Sequence, residues 1–466
     1  MSKKLFTDFN KVSSKEWKQK IQVDLKGADY NDTLIWKTNE GIDVKPFYHA
    51  DEFSHPLNNI SNPKIWSICQ SIFVHDVELS NKKAVNVIER GADSIKFILP
   101  SKDISIDDLL QNINLDVVVL YFELHFLDSE FVKKLNLNLL ERSQKDTNKK
   151  SFYINTDIIG HLAETGNWYT HLKADHDQFN LILKETHSLS VNASLFQNAG
   201  ATMVQQLAYA LAQTNEYLNH INAVSLIKDE ATPVLNINFN VSIGTNYFFE
   251  IAKLRALRLL FNTLISEYSF KANCHIFATP TKRNKTIYDY NTNLLRTTTE
   301  CMSAILGGAN TICNLAYDGI YHKDNEFGER IARNQLLILK HESYFNLVSN
   351  ASEGTYYIES LTNQLAEKAL DVFKIIEKQG GFLSQLKEGT IQRKIKDSAL
   401  KEQALFDAGE TVLLGTNKHP NKNDKMKQEL ELFPFVKTNI RKTLIRPIIE
   451  KRLAENIEQE RLKTEN

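Results

Sequence analysis

Residues 286–318, TIYDYNTNLLRTTTECMSAILGGANTICNLAYD, read as a helix, a glycine turn and a buried strand. Leu294, Leu295, Thr298, Met302 and Ile305 recur at helical spacing, which predicts one apolar face. Gly307-Gly308 stands where a helix end needs a residue tolerant of positive φ. Ile312, Leu315 and Ala316 then fall in a short strand, and the chain turns at Asp318-Gly319. Helix, glycine stop and strand make one step of a parallel α/β fold, and the rest of the chain can be laid out as repetitions of that step.

Outward from this stretch, apolar runs alternate with longer amphipathic segments from Ile65 onward. The predicted strands are Ser94–Leu99, Leu115–Tyr121, Ser151–Asn155, Ser188–Asn192, Val234–Asn240, Asn273–Ala278, Thr311–Leu315 and Tyr344–Val348. Helical segments such as Ala199–Asn219 and Tyr247–Glu267 separate them. Eight βα units in unbroken succession favour a closed, TIM-type barrel over an open doubly wound sheet. The expected organisation is an extended N-terminal arm over residues 1–60, the barrel over 61–365 and a helical extension over 366–466. In the arm, Trp17, Ile21 and Leu25 would line a short helix, and the Gly- and Pro-rich stretch after it would lie on the barrel or on a partner. In the extension, Leu361–Gln379 is a helix ended by Gly380-Gly381, residues 390–409 form a second charged amphipathic segment, and His419–Lys427 is a loop. The tail from Arg441 reads as a solvated helix, with a possible stripe of Leu444, Ile448 and Leu453.

The strands carry a second pattern. Leu235, Ile237 and Phe239 interleave with Asn236, Asn238 and Asn240. Leu189 and Val191 interleave with Ser188, Ser190 and Asn192, and Phe152 and Ile154 with Tyr153 and Asn155. Helices cover the outside of a barrel, so the amide and hydroxyl set should face the lumen, unlike the branched aliphatic filling of most such barrels. Two readings stay open: a lumen shaped for a long polar ligand, or a plug of internally bonded side chains.

Composition narrows the function. The 466 residues carry 42% hydrophobic and 24% charged side chains and a net charge of −1, which points to neither nucleic acid nor a membrane surface. The four scattered cysteines, Cys69, Cys274, Cys301 and Cys313, form no disulfide framework, so a reducing, cytoplasmic setting is expected. The start MSKKLFTDFN has no apolar core of a signal peptide, and the apolar run Leu115–Leu127 is too short to span a bilayer. No phosphate-cradling glycine loop and no G-x-S-x-G elbow occurs. His171 and His176, beside Asp175 and Asp177, are spaced i, i+5, which does not align two imidazoles on one helix face; a solvated loop is the expectation. Glu123 and Asp157 near strand ends are the nearest approach to a glycosidase pair. Tyr209, Tyr217 and Tyr247 read as packing residues.

Seven ordered blocks then resemble a known family: Thr38–Tyr48, Asn198–Ala212, Phe248–Leu260, Leu295–Ala309, Glu329–Gln335, Gly354–Leu370 and Lys451–Leu462. Together they look like the methylmalonyl-CoA mutase family, whose barrel is threaded by its acyl-CoA substrate. The family's catalytic chains continue into a cobalamin-binding domain with a D-x-H-x-x-G motif. None occurs here, and the 52 residues after Leu414 are too few for that domain. Where the catalytic chains carry a Tyr-His pair, this chain has Ser194 and Leu195, and leucine cannot polarise a thioester carbonyl. The family's P-P-x-P-S-M-R segment has no counterpart between Ser151 and His187. Its T-S-G-W-S stretch is replaced by Pro280-Thr281-Lys282-Arg283-Asn284.

The resemblance therefore implies a small, non-catalytic subunit of a heterodimeric mutase, with no catalytic, cofactor-binding or metal residue of its own. Its partner would be a large subunit that binds adenosylcobalamin and the acyl-CoA. The implied reaction is the radical interconversion of (R)-methylmalonyl-CoA and succinyl-CoA in propionyl-CoA metabolism, with hard chemistry supplied by the cofactor. The arm and tail would wrap the partner. Two rivals stand beside this reading: a barrel enzyme with its own site, and a stand-alone acyl-CoA-binding barrel, for which the polar lumen with Lys282 or Arg296 would speak.

Overall fold

The computed structural model describes residues 8–53, 60, 62–143, 152–227, 234–437 and 440–465. Its centre is an all-parallel sheet of eight strands: β1 (Ser67–Phe73), β2 (Ser94–Leu99), β3 (Val119–Leu124), β4 (Phe152–Asn155), β5 (Ser188–Asn192), β6 (Leu235–Ile243), β7 (Ala272–Pro280) and β8 (Thr311–Cys313). Each strand pairs with its sequence neighbours, and β8 pairs with β1. Between β4 and β5 the ladder gives way to one backbone bond, Ser190 N to Thr156 O at 3.1 Å, which brings the ends of the sheet together. The architecture is a TIM-type βα barrel with helices outside.

The expected count of eight holds, but one member differs. The first strand is Ser67–Phe73, whose mixed SICQSIF pattern hides its period, and Tyr344–Val348 is not a strand. Tyr344 has a left-handed φ of 56°, Leu347 and Val348 face solvent, and the Phe345 carbonyl accepts the Trp66 indole N–H. The segment is thus a turn that braces the entry to β1. The strand expected over 115–121 is shifted to Val119–Leu124, and the strand expected over 311–315 stops at Cys313. Ser151 of the third expected strand lies outside the described residues.

The alternation assigns the faces. Leu120, Phe122, Ile154, Leu189, Val191, Ile237, Phe239 and Ile276 pack outward under the helices in two large apolar clusters. The helix Thr292–Leu306 corrects part of another expectation: Ile305 is buried as expected, but Leu295 is 69% exposed, and the rest of the buried face is Asn293, Thr297, Glu300, Cys301, Ser303 and Ala304. Polar groups replace aliphatic ones there because each has a buried partner. Asn293 Nδ2 donates to the carbonyls of Thr286 and Tyr317 at 2.8 and 2.9 Å, and Glu300 pairs with Lys285 at 2.8 Å.

The N-terminal segment divides. The short hairpin of Trp36–Lys37 and Asp43–Val44 is latched to the barrel, because Glu40 at its tip accepts the N–H groups of Met203 and Val204, both at 2.9 Å, at the start of the helix Met203–Ala223. The helix Ser14–Asp24, closed by a Ser13–Glu16 capping box, buries no residue, and Trp17 is 50% exposed.

At the other end, Tyr356–Lys378 packs outside Met203–Ala223 and Tyr247–Ile265. Thr390–Asp407 is helical as expected, but the tail is not: only Glu455–Thr464 is a helix. Residues 440–454 form an irregular strap. Pro447 removes one N–H, and the neighbouring N–H groups bond to barrel loops instead: Leu444 to Gly166 O, Ile448 to Ala163 O, Lys451 to Asn198 O and Leu453 to Arg283 O, at 2.8–3.1 Å. Among the described residues no helix is long and apolar enough to cross a membrane.

Candidate functional site

Active sites of βα barrels lie at the C-terminal ends of the strands, so the lumen and that mouth are the places to look. Luminal positions follow from strand parity: Cys69 and Ser71 on β1, Lys96 on β2, Tyr121 and Glu123 on β3, Tyr153 and Asn155 on β4, Ser188, Ser190 and Asn192 on β5. Asn238 and Asn240 on β6, His275 and Phe277 on β7, and Thr311 and Cys313 on β8 complete the set.

A plug closes the middle of the lumen. Tyr121 stacks on Tyr153 with centroids 5.1 Å apart and meets Phe277 edge-on at 4.9 Å. Its hydroxyl crosses from β3 to the far wall, 2.9 Å from His275 Nε2 and 2.6 Å from Thr311 Oγ1. The His275 ring lies 4.3 Å from that of Tyr153, and Asn238 Nδ2 donates to Asn155 Oδ1 at 2.8 Å beside it. Burial pushes the Tyr121 phenol well up and that of Tyr153 to about 12, so both stay neutral packing groups. Of the two luminal readings left open by the sequence, the bonded plug is the one the interior takes across its centre.

Above the plug, toward the strand C-termini, a cavity of about 540 Å³ remains, lined by Lys96, Glu123, His125, Asp157, His161 and Glu164 among others. Lys96 Nζ sits 3.0 Å from Glu123 and holds that carboxyl down at about 2, against its burial. Burial in turn opposes the charge on Lys96, but Glu123 and the Cys313 sulfur outweigh it and raise the ammonium. Hydrogen bonding to Glu123 raises His125, whereas burial lowers His161, stacked 3.6 Å over Tyr169, to about 4.

Glu123 and Asp157 do share this cavity, as their strand ends suggested, but neither is free for acid–base work. Glu123 is locked to Lys96. Asp157 caps the helix Ile158–Thr165 and accepts from Gly160 N, Gln213 Nε2, Tyr217 Oη and Asn192 N, each at 2.7 Å. Burial raises Asp157 in spite of these donors.

The remaining sequence candidates disperse. His171, His176, Asp175 and Asp177 lie not on a solvated loop but at the cap and in the first two turns of the helix Leu172–Thr186. There His171 caps the helix, and the buried Asp175 accepts the N–H groups of Tyr169 and Thr170. Among the described residues no group of three or more His, Cys, Asp or Glu could hold a metal ion. Tyr209 packs against Phe196 and Phe382, Tyr217 serves Asp157, and Tyr247 lies edge-on to Phe248.

Ser194 hydrogen-bonds to Ser242, and Leu195 is buried in the main apolar cluster at 1% exposure. Arg296 is outside the lumen and bonded to Thr286, Asn293 and the Leu414 carbonyl; Lys282 reaches only Glu450, at 3.5 Å. Arg296 does not support a luminal acyl-CoA site, whereas Lys282 borders the mouth cavity. Sequence reasoning missed Lys96, His275 and the Cys69–Cys313 juxtaposition, all of which depend on register between strands distant in sequence. The parity of β2, with Lys96 between Ile95 and Phe97, was the one visible signal.

The strap runs over this mouth. With residues 433–437 it borders a groove of about 740 Å³ that exposes Phe433, Ile440 and Ile449 beside Lys437, Arg441 and Lys451.

Comparison with known proteins adds the lineage. A family described as Methylmalonyl-CoA mutase matches residues 101–463. The Methylmalonyl-CoA mutase small subunit of Porphyromonas gingivalis is 35% identical over 90% of this chain and 71% of that protein. The Methylmalonyl-CoA mutase of Rhizobium meliloti is 29% identical over 97% of this chain and 68% of its own length. The mitochondrial Methylmalonyl-CoA mutase of Bos taurus is 27% identical, and the match covers 87% of this chain and 60% of the bovine protein.

Proposed function

The chain belongs to the methylmalonyl-CoA mutase family, and from that premise we propose that it is the small, non-catalytic subunit of a heterodimeric, cytoplasmic mutase. A larger catalytic subunit would bind adenosylcobalamin and the acyl-CoA and interconvert (R)-methylmalonyl-CoA and succinyl-CoA. The observation that carries this reading is the plug. A substrate threaded along the barrel axis would have to pass the point where Tyr121 reaches from β3 to His275 and Thr311, and those side chains fill it. Leu195, at the position matched to the family's catalytic histidine, is buried among apolar side chains and offers no donor.

The mouth does not fit a corrinoid either. The strap crosses it, bonded to the loops after β4, β5 and β7, and a neutral imidazole free to meet a cobalt is lacking in its wall: His125 is held toward its charged form by Glu123, and His161 lies face to face with Tyr169. No step of the reaction is assigned to this chain. Its contribution is structural: a rigid barrel, with the helix Ser14–Asp24 and the apolar groove beside the strap offered to the partner. The exposed helix Ser14–Asp24 supports that role, since it has no buried residue and Trp17, edge-on to Phe47, stays half exposed.

The test is a tagged pull-down from native extract with intact masses and mutase assay of the eluate. The expected result is a larger chain at equal stoichiometry that contains D-x-H-x-x-G, with mutase activity in the pair and none in this chain alone. Elution of the chain alone or as a homodimer overturns the proposal. A second reading, a stand-alone acyl-CoA-binding barrel, is favoured only by the cavity above the plug. Isothermal titration of CoA esters against the isolated chain decides it, and no heat beyond dilution removes it.

A further inference from the structure

Cys69 on β1 and Cys313 on β8 are register partners across the join between the first and last strands of the barrel. Both side chains face the lumen in one cluster with Tyr121, Tyr153 and Phe277, and both are free thiols. Paired strands run about 4.8 Å apart, inside the roughly 4.4–6.8 Å Cα separation that a disulfide bridges. The Cys69 S–H has an acceptor in the Gln70 carbonyl at 3.8 Å, and Cys313 stands beside it in the same cluster. They are level with Ser94, two residues before Lys96, which lines the cavity at the mouth.

The two thiols differ in character. The hydrogen bond from Cys69 draws the Cys313 thiol below its ordinary value against its burial, and the Lys96 ammonium and a backbone bond from Ser71 act in the same direction. Burial, reinforced by its bond to Cys313, pushes Cys69 well up. Burial also raises Cys274, to about 11, and Cys301. Of two thiols side by side, the one that gives up its proton more readily attacks and the other resolves.

We propose that Cys69 and Cys313 form a reversible dithiol–disulfide couple inside the barrel, oxidised by small hydroperoxides that enter through the mouth. In the first step the Cys313 thiolate attacks one oxygen of hydrogen peroxide. The O–O bond breaks, the distal oxygen leaves as hydroxide and is protonated to water, and Cys313 becomes a sulfenic acid. In the second step the Cys69 sulfur attacks Cys313 Sγ, the S–O bond breaks, and the departing hydroxide takes the Cys69 proton as a second water. The two thiols lose two electrons to the peroxide. A small dithiol reverses the process through a mixed disulfide. The bond would staple β1 to β8. The proposal is independent of the subunit assignment.

The experiment treats the full chain with graded hydrogen peroxide, blocks remaining thiols, and maps the products by digestion and fragment-ion mass spectrometry. Two thiols should be lost together, with a Cys69–Cys313 cross-link, full reversal by dithiothreitol, and Cys274 and Cys301 recovered reduced. In Cys69→Ser the reaction should stop at a Cys313 sulfenic acid trapped by dimedone. In Cys313→Ser the oxidation of Cys69 should slow at least tenfold. The cross-link map of the unsubstituted chain stands even where a variant folds poorly. Single-thiol loss, equal oxidation of Cys274 or Cys301, sulfinic acid at Cys313 without a cross-link, or an undiminished rate in Cys313→Ser overturns the proposal.

Discussion

The Lys96–Glu123 pair and His161 set the acid response of the barrel mouth in two successive windows. Glu123 is held at about 2 in the folded chain, below its ordinary 4.5, so its stabilisation is complete above the ordinary value and is lost as pH falls from about 4.5 toward 2. His161 is held at about 4 against 6.5; being neutral in the fold, it favours the folded state fully above 6.5 and progressively less as pH falls toward 4. Both groups are partly exposed, so screening reduces each contribution to about 1–2 kcal/mol. Glu123→Gln should therefore cost about 1–2 kcal/mol in urea unfolding at pH 7, and its deficit relative to the parent should shrink below pH 4. His161→Gln should flatten the stability profile between pH 6.5 and 4 and leave the lower window unchanged. Equal pH profiles for parent and variants would refute these assignments. None of this was legible in the sequence. Lys96 and Glu123 are 27 residues apart and meet only because β2 and β3 are in register.

At the scale of elements the weak point is the seam between β4 and β5. Where the other strands share ladders, this junction has the Ser190–Thr156 bond and the Asp157 carboxylate, which reaches Asn192 N at 2.7 Å. Asp157→Ala leaves four donors without their acceptor and should cost about 3 kcal/mol or more. Hydrogen exchange should then accelerate at Asn192 and the start of the helix Ile158–Thr165, with the amides of β6 and β7 still protected.

The strap has its own anchor. Gly166 adopts a φ of 82°, and a Cβ there would stand 2.7 Å from the Ile445 carbonyl oxygen. Gly166→Ala should lower stability by about 1–3 kcal/mol and open residues 440–454 to limited proteolysis. Elements with a clean period, such as Ser94–Leu99, Ser188–Asn192 and Tyr356–Lys378, were readable from the chain. The first strand was not, because SICQSIF mixes polar and apolar residues on its helix-facing side. The turn at 344–348 imitated a strand because its apolar side chains face solvent.

For the whole molecule, eight βα units and the seven family blocks carried the fold and the lineage, but the filling of the lumen lay beyond them. The alternation of Asn and Ser with Leu and Ile reported which residues face inward, not that Tyr121, Tyr153, His275 and Phe277 would meet there. A deletion can test partner wrapping, but the whole N-terminal segment cannot be removed for it. Glu40, Ile42 and Val44 belong to the barrel's own packing, so removal of residues 1–60 would damage the fold itself. Removal of residues 1–28 should leave the melting temperature within about 2 °C of the parent, since the helix within it has no buried residue, and under the proposed assignment should weaken association with the large subunit at least tenfold in sedimentation or titration. An unchanged affinity would place the interface elsewhere.

The plug bears on the timing of assembly. A barrel that needs its substrate to complete its interior matures only as fast as that metabolite is supplied. A barrel completed by four of its own aromatic rings carries no such dependence. In the proposed heterodimer, such a chain would hold its shape whether or not the acyl-CoA is present.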